Sequence, residues 1–549
     1  MKSFSLLLSF CLGLMITSCN SEKSDPELPY LKKDGNVTQL VVDGKPYLIL
    51  GGELHNSSSS SREYMKKFWP ELEASGMNTV LAAVEWALVE PEEGKYDFTV
   101  VDNLLEDARV HNLRLILLWF GSWKNSQLHY IPDWMKKDFT RFPRVMADFG
   151  KSLEILSPFC NEALEADAKA YAAMMKHLKE VDSATRTVIM VQVENEVGIL
   201  GSPRDHTPDA EAAFNSAVPE NLMGYIEKNK ENLLPELTEI WKTTGFKTSG
   251  TWEEVFGKSE KTGEIFMAWA YSTYINTITK AGKAEYPLPM FVNAWLVQQA
   301  DTRPGDYPSG GPQAHMLDIW KAGSPDIDLY CPDIYRPVFA DLCELYTRNN
   351  NPLFIPESRA GEQGAGQFFY AIGRHNAIGY SPFGYESRTT DVENDPMTIA
   401  YRTASGMTKI ILDAQRNGTI NSVLLNAETK PSEEITLGDF RILAELTFGR
   451  TDGYGMVIST APDEYIIYGK NIQFSFSPAT PGPAIAGIAH ADEGVFENGE
   501  WISWRRMNGD EIFLSLDLAK KAMENKAGTG IKFNDANQKI QKVKLYRYE

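Results

Sequence analysis

Eight short apolar runs, each breaking into polar residues at its C-terminal end, constrain this chain more than anything else in its sequence. They lie at 47–52, 78–84, 114–119, 188–191, 289–295, 327–331, 353–357 and 377–380, and helix-like stretches separate most of them. Alternation of strand and helix implies parallel strands joined by right-handed crossovers. Eight such units imply an α/β fold of the (β/α)8 barrel type, whose chemistry sits at the C-terminal ends of the strands. An open doubly wound sheet is the competing architecture. It commonly binds a nucleotide, and no GxGxxG or GxxxxGK[ST] string follows the first run.

The rest of the 549 residues fall around that barrel. Residues 1–19 combine a basic start, an apolar stretch too short to span a bilayer, and Ile16-Thr17-Ser18-Cys19. This resembles a bacterial lipoprotein signal with Cys19 as the acylated residue. It places the protein in the cell envelope of a Gram-negative bacterium, held to the membrane by the lipid alone. A plain secretory peptide cut nearby is the alternative. Polar residues 20–34, with two prolines, read as a flexible tether. The barrel is expected over 35–418, with a long polar insertion after Gly198. Over 419–549 the texture changes to short strand-like runs divided by turn pairs such as Asp452-Gly453, which predicts an all-β accessory domain.

A net charge of −20 argues against a nucleic-acid partner, because phosphate binding needs a basic surface. Beyond the leader only Cys160, Cys331 and Cys343 remain, irregularly spaced, so neither a disulfide framework nor a zinc site is implied. No GxSxG elbow supports a serine nucleophile.

The polar strand ends supply carboxylates instead. Val191-Gln-Val-Glu-Asn-Glu196 ends the fourth run and Pro352-Leu-Phe-Ile-Pro-Glu357 the seventh. Cleavage of a glycosidic bond uses two carboxyl groups, one donating a proton to the leaving oxygen and the other attacking the sugar carbon in retaining enzymes. Two acids at different strand ends of one barrel can meet that need. Glu386 and Glu362 are rivals to Glu357.

Val191-Gln-Val-Glu-Asn-Glu196 resembles the fourth-strand motif of glycoside hydrolase family 35, the β-galactosidases. Gly76-Met-Asn-Thr79, Trp86 to Pro91, Gly94-Lys-Tyr-Asp-Phe98 and Gly51-Gly-Glu-Leu-His55 resemble other motifs of that family in the same order. The resemblance covers roughly 40–400 and implies a retaining exo-β-glycosidase without a cofactor. Glu196 would then be the acid/base, Glu357 the nucleophile, and Asn195 the amide that binds the sugar 2-hydroxyl. The chain departs from the family at Val197, at Trp119-Phe-Gly-Ser-Trp123 and at Ile355-Pro-Glu-Ser-Arg359. These departures leave the sugar open among galactose, glucose, arabinose and glucuronic acid. A glycan-binding protein on an inactive barrel is a reading from another class.

Further sugar-contact candidates follow from strand-end position. Glu194 shares a strand face with Glu196 and either contacts sugar or supports the site. Tyr335 either orients Glu357 or packs in the core. Asn293 and Trp295 end the fifth run. Trp119 and Trp123 either stack on sugar or pack at the rim, and Glu85 and His55 are expected to line the rim; for His55 a structural role stands equally open. Glu53, Lys124 and Asn125 are further polar residues at the rim. Nothing in the sequence speaks to oligomeric state.

Overall fold

The computed structural model describes residues 27–549 except 36, 298–301, 389–390, 498, 508–511, 513–529 and 534–539. Cys19 and the leader lie outside the described residues. Eight parallel strands close into a barrel in sequence order: β1 (Ile49–Glu53), β2 (Thr79–Glu85), β3 (Arg114–Lys124), β4 (Val188–Asn195), β5 (Met290–Trp295), β6 (Leu329–Ile334), β7 (Ile355–Ser358) and β8 (Gly379–Pro382). The fold is therefore the (β/α)8 barrel with an all-β C-terminal part.

Each barrel strand carries two rows of side chains, because successive residues point to opposite faces. Ile49, Leu81, Ala83, Ile116, Leu118, Phe120, Phe291, Leu329 and Phe354 form the interior cluster. Val80, Ala82, Val84, Leu115, Leu117 and Trp119 belong to the outer cluster against the helices. Apolar residues on both faces explain why these runs are nearly continuous rather than alternating.

A small antiparallel sheet precedes the barrel. Val37–Val42 pairs with Lys45–Tyr47 across Asp43-Gly44, and with Tyr30–Asp34 on its other side. Leu40 and Val42 reach into the interior cluster and plug the barrel at the end away from the strand C-termini. The tether expected over 20–34 is corrected at its C-terminal part: residues 30–34 are a paired strand, ordered by backbone hydrogen bonding to Val37–Val42.

The helix Pro396–Asn417 shows how local chemistry sets an element's bounds. Asp395 caps it by accepting from the Thr398 N–H, proline occupies its first turn, and Gly418 ends it at φ 65°. One face of this helix and of Gly361–Arg374 carries the C-terminal sheets, with Phe369 stacked near Tyr454 and Tyr468. Those sheets are antiparallel. One runs Ile420–Asn426, Asp452–Ala461, Glu464–Lys470, Ile540–Tyr548, Ile485–Glu497, Glu500–Met507, and the other Ser432–Leu437, Phe440–Leu446, Ile472–Pro478, Gly530–Phe533. Val423, Ile442, Val457, Phe474 and Ile531 are among the core residues they share. Asp452-Gly453 opens a strand instead of forming a turn; the turn falls just before it, where the Arg450 N–H bonds to the Thr447 carbonyl. Cys160, Cys331 and Cys343 are buried free thiols.

Candidate active site

β4 ends in an irregular backbone. Glu194 and Glu196 both adopt positive φ, 61° and 46°, and Asn125 and Ser126 beyond β3 do the same at 51° and 59°. Left-handed backbone at residues other than glycine costs roughly 1–3 kcal/mol each and persists only where the surroundings enforce it. Here the enforcing contacts are visible. The Ser126 N–H and hydroxyl both donate to the Glu196 carbonyl, each at 3.1 Å, and the Glu196 N–H donates to Asn293 Oδ1 at 3.0 Å.

The kink at 194 breaks the strand alternation and separates two acids that a regular strand would place together. Glu194 turns behind the barrel wall, where its carboxylate accepts from the Ser122 N–H at 3.0 Å and the Trp123 N–H at 2.7 Å. Asp167, on the helix Asn161–Asp182, lies beside it and accepts from Trp119 Nε1 at 2.9 Å and Ser122 Oγ at 2.6 Å. Burial and the neighbouring Asp167 push the Glu194 carboxyl well above its ordinary range.

The sugar-contact expectations for Glu194, Trp119 and Trp123 are therefore corrected. Trp119 faces the helices, in contact with Trp86 and Tyr171. Trp123 is buried against Tyr271 and Tyr274 and donates to the Leu156 carbonyl. The physical reason is strand length. β3 runs on to Lys124, so Trp119 falls mid-strand, in the outward row between inward Leu118 and Phe120. His55 is likewise tied up: its N–H donates to Glu386 Oε1, its Nε2 pairs with Ser387 Oγ at 2.7 Å, and its ring packs edge-on against Phe383. It fastens the β1 loop to the β8 loop.

The barrel mouth holds the remaining candidates. Glu196 accepts a short hydrogen bond from Asn125 Nδ2. Its carboxyl is raised to about 7, first by burial and then by the charge of Glu357, against the lowering effect of Lys124. Glu357 pairs in register with Asp333 of β6 and accepts from the Tyr335 hydroxyl at 2.7 Å on one oxygen. Burial and the Glu357 charge drive the Tyr335 hydroxyl upward, so it stays a proton donor to that carboxylate. Asn293 donates to Asp333 Oδ2 at 2.7 Å while holding the Glu196 backbone, which ties β4, β5 and β6 together. Trp295 is half-buried at the end of β5, and its carbonyl accepts from Gln313. Glu85 is half-buried at the end of β2, with its carboxyl raised by burial.

Several buried polar atoms around this mouth have no partner within the protein. They include both ends of the Asn195 amide, Glu357 Oε2, Asp333 Oδ1, Glu53 Oε1 and Glu386 Oε2. An unpaired buried polar group costs about 1–3 kcal/mol. Several of them around one barrel mouth form a set of acceptors and donors waiting for hydroxyl groups.

Sequence reasoning gave Glu53 and Lys124 only a place on the rim and assigned Asp333 no role. Asp333 and Glu53 sense the same neighbours as Glu196, and burial with the charge of Glu357 raises both. Lys124 is the buried cation whose charge acts on Glu53 and Glu196. The rule that picked out Glu357, an acid at the end of an apolar run, applies equally to Asp333 and Glu53.

Parts of the chain are similar to known proteins. The model of glycoside hydrolase family 42, described as "Beta-galactosidase", matches residues 55–262. That segment carries β2, β3, β4 and Glu196, while Glu357 lies beyond it. A second model, described as a domain of unknown function (DUF5597), matches 397–517. A β-galactosidase of Xanthomonas manihotis is 30% identical over 190 residues, 33% of this chain and 29% of that protein. The human beta-galactosidase-1-like protein 3 is 30% identical over 175 residues, 31% of this chain and 24% of that one. The chain thus spans less than a third of the length of these curated relatives. Among solved structures, a β-galactosidase from the psychrophilic Marinomonas ef1 superposes with a TM-score of 0.46 at 12% identity, covering 67% of this chain and 61% of its own.

Proposed function

We propose that the protein is a retaining exo-β-glycosidase that releases terminal β-galactose, with Glu196 as acid/base and Glu357 as nucleophile. The observation that carries this reading is the contrast between the two mouth carboxyls. Glu196 is raised to about 7 and so holds a proton near neutral pH, as a general acid requires. Glu357 has one oxygen fixed by Tyr335 and the other unpartnered, as an attacking carboxylate requires.

The steps follow from those states. Glu196 protonates the departing glycosidic oxygen while Glu357 Oε2 attacks the anomeric carbon, forming a glycosyl ester and releasing the leaving group. Glu196, now ionised, takes a proton from water as that water attacks the same carbon, and Glu357 leaves as carboxylate. The unpartnered Asn195 amide supports a role in binding a sugar hydroxyl. The motif order and the similar β-galactosidases support galactose; family 35 is supported by the motif order alone, and the family model that matches is that of family 42.

A panel of 4-nitrophenyl β-glycosides tests the activity: hydrolysis of the galactoside at least tenfold above the glucoside, arabinoside and glucuronide is expected. Absence of turnover on every member would overturn the enzymatic reading.

We further propose that the chain is exported and held on the cell envelope through an acyl group on Cys19, acting there in polysaccharide breakdown; the apolar leader and its Ile-Thr-Ser-Cys end support this. Cys19→Ala should move the protein from the membrane fraction to the soluble one, and unchanged membrane retention would contradict the anchor.

A further inference from the structure

A cavity of about 1000 Å³ lies beside the barrel mouth, between the insertion after β4 and the ends of β5 and β6. That is the upper end of the range usual for ligand sites, ~300–1,000 Å³. Leu296 and Val297, directly after Trp295, line it, and so does Arg336, directly after the Tyr335 that holds Glu357. Gln313 stitches this wall to the mouth by bonding to the Trp295 carbonyl and the Val297 N–H. The cavity wall thus adjoins the mouth through Gln313 and through the chain after β5 and β6.

Its charges are arranged unevenly. The acids that line it already have cations: Glu236 pairs with Arg348, Glu239 with Lys242, and Glu264 with His315. Burial lowers His315, but the charge and hydrogen bond of Glu264 outweigh it and raise the imidazole, so that pair is close to neutral overall. Lys258, Lys261 and Arg336 line the same cavity without a carboxylate partner among the described residues. Arg336 uses one N–H on the Val297 carbonyl, which leaves most of a guanidinium's five donors free. Lys258 and Lys261 are exposed and Arg336 is half-buried, so this wall carries a local excess of positive charge in a chain of net charge −20 and attracts anions.

We propose that this cavity binds an anionic sugar unit, carrying a uronate carboxylate or a sulfate ester, on the leaving-group side of the bond that is cut. Placement on the leaving-group side rests on the proposed glycosidase function; anion binding by the cavity does not. The mouth and the cavity then divide the substrate. Buried carboxyls at the mouth suit a neutral, hydroxyl-rich terminal sugar and repel an acidic one, while Lys258, Lys261 and Arg336 hold the anionic remainder.

Titration calorimetry on the full chain tests this with three probes: a trigalacturonate, a sulfated galactose disaccharide and a neutral galactotriose. At least one anionic probe is expected to bind tenfold or more tightly than the neutral one at low salt. The advantage should shrink at 0.2 M salt and disappear in the Lys258→Gln/Lys261→Gln double variant. Arg336→Gln should weaken it several-fold, and thermal melting would check that both variants stay folded. Which anionic probe binds separates uronate from sulfate. Equal affinity for all three probes, no binding of any, or a preference that survives in both variants would overturn the proposal. Hydrolysis of 4-nitrophenyl galactoside, measured separately, shows whether the glycosidase reading stands or falls on its own.

Discussion

Glu194 and Glu196 sit two residues apart at the end of β4, both buried, and their surroundings could hardly differ more. Behind the wall, Glu194 is satisfied by two backbone N–H groups and by Asp167, among indoles whose own N–H groups are bonded. In the mouth, Glu196 has Asn125 on one side and faces Glu357, Asn195 and Asp333, each with a buried polar atom left open. The lesson concerns how a buried acid is to be judged. Burial alone does not single out the proposed acid/base; the cluster of unpartnered polar atoms around Glu196 is what sets it apart from Glu194. Glu194 and Asp167 stabilise the kink that turns Glu196 into the mouth, so one region builds the geometry and the other uses it.

Substitutions on either side should therefore separate activity from stability. Glu357→Gln removes the proposed attacking oxygen while keeping the Tyr335 hydrogen bond. Turnover should fall on the order of 10⁴-fold or more, with the melting temperature unchanged or raised because a buried charge is gone; steady-state kinetics and calorimetry read the two. Glu196→Gln should cost about 10²–10⁴-fold on substrates with poor leaving groups and far less on dinitrophenyl glycosides. In contrast, Glu194→Leu leaves the buried Trp123 N–H without an acceptor, while the Ser122 N–H keeps Asp167 Oδ2 at 3.1 Å. It should destabilise the fold by about 1–3 kcal/mol, read by chemical denaturation, and lower activity only through the lost kink. Full stability in this variant would break the comparison.

Smaller effects sharpen it. Tyr335→Phe removes the one hydrogen bond to Glu357 and should lower kcat about tenfold, equivalent to roughly 1.4 kcal/mol, with little change in KM. Trp119→Phe should leave KM unchanged and reduce stability by about 1–2 kcal/mol through the lost bond to Asp167; a raised KM would restore a sugar-stacking role. The pH profile has a definite sign. In its proposed role Glu196 works protonated, so kcat/KM should decline as pH rises through about 7. Lys124→Met removes a charge that lowers Glu196, so this limb should move to higher pH. Glu357→Gln removes a charge that raises it, so the Glu196 carboxyl, followed by isotope-edited infrared, should titrate at lower pH.

The barrel was legible because its signal repeats: eight apolar runs, buried on both faces, each opening to polar residues at the same end. Glu196, Glu357 and Asn195 could be picked out by that position together with the motif order. Four things escaped. The outward row of β3 could not be told from the inward row while the strand was taken to stop at Trp119. Regular alternation put Glu194 with Glu196, and the positive φ that parts them leaves no mark in residue type. Asp333 met the strand-end rule as Glu357 did but went without a role; its place beside Glu357 depends on inter-strand register, which only the closed barrel displays. The strand Tyr30–Asp34 was hidden by its polar composition; it pairs through backbone with the plug strand.

Covalent trapping tests the central assignment most directly. A 2-deoxy-2-fluoro-β-galactoside with a good leaving group slows the second displacement and lets the glycosyl ester accumulate, so peptide mass spectrometry can find the labelled residue. The account expects one fluorosugar per chain, on Glu357, and none in Glu357→Gln. Label on Glu53, Asp333 or Glu386, or turnover with no adduct and an inverted product anomer, would contradict it.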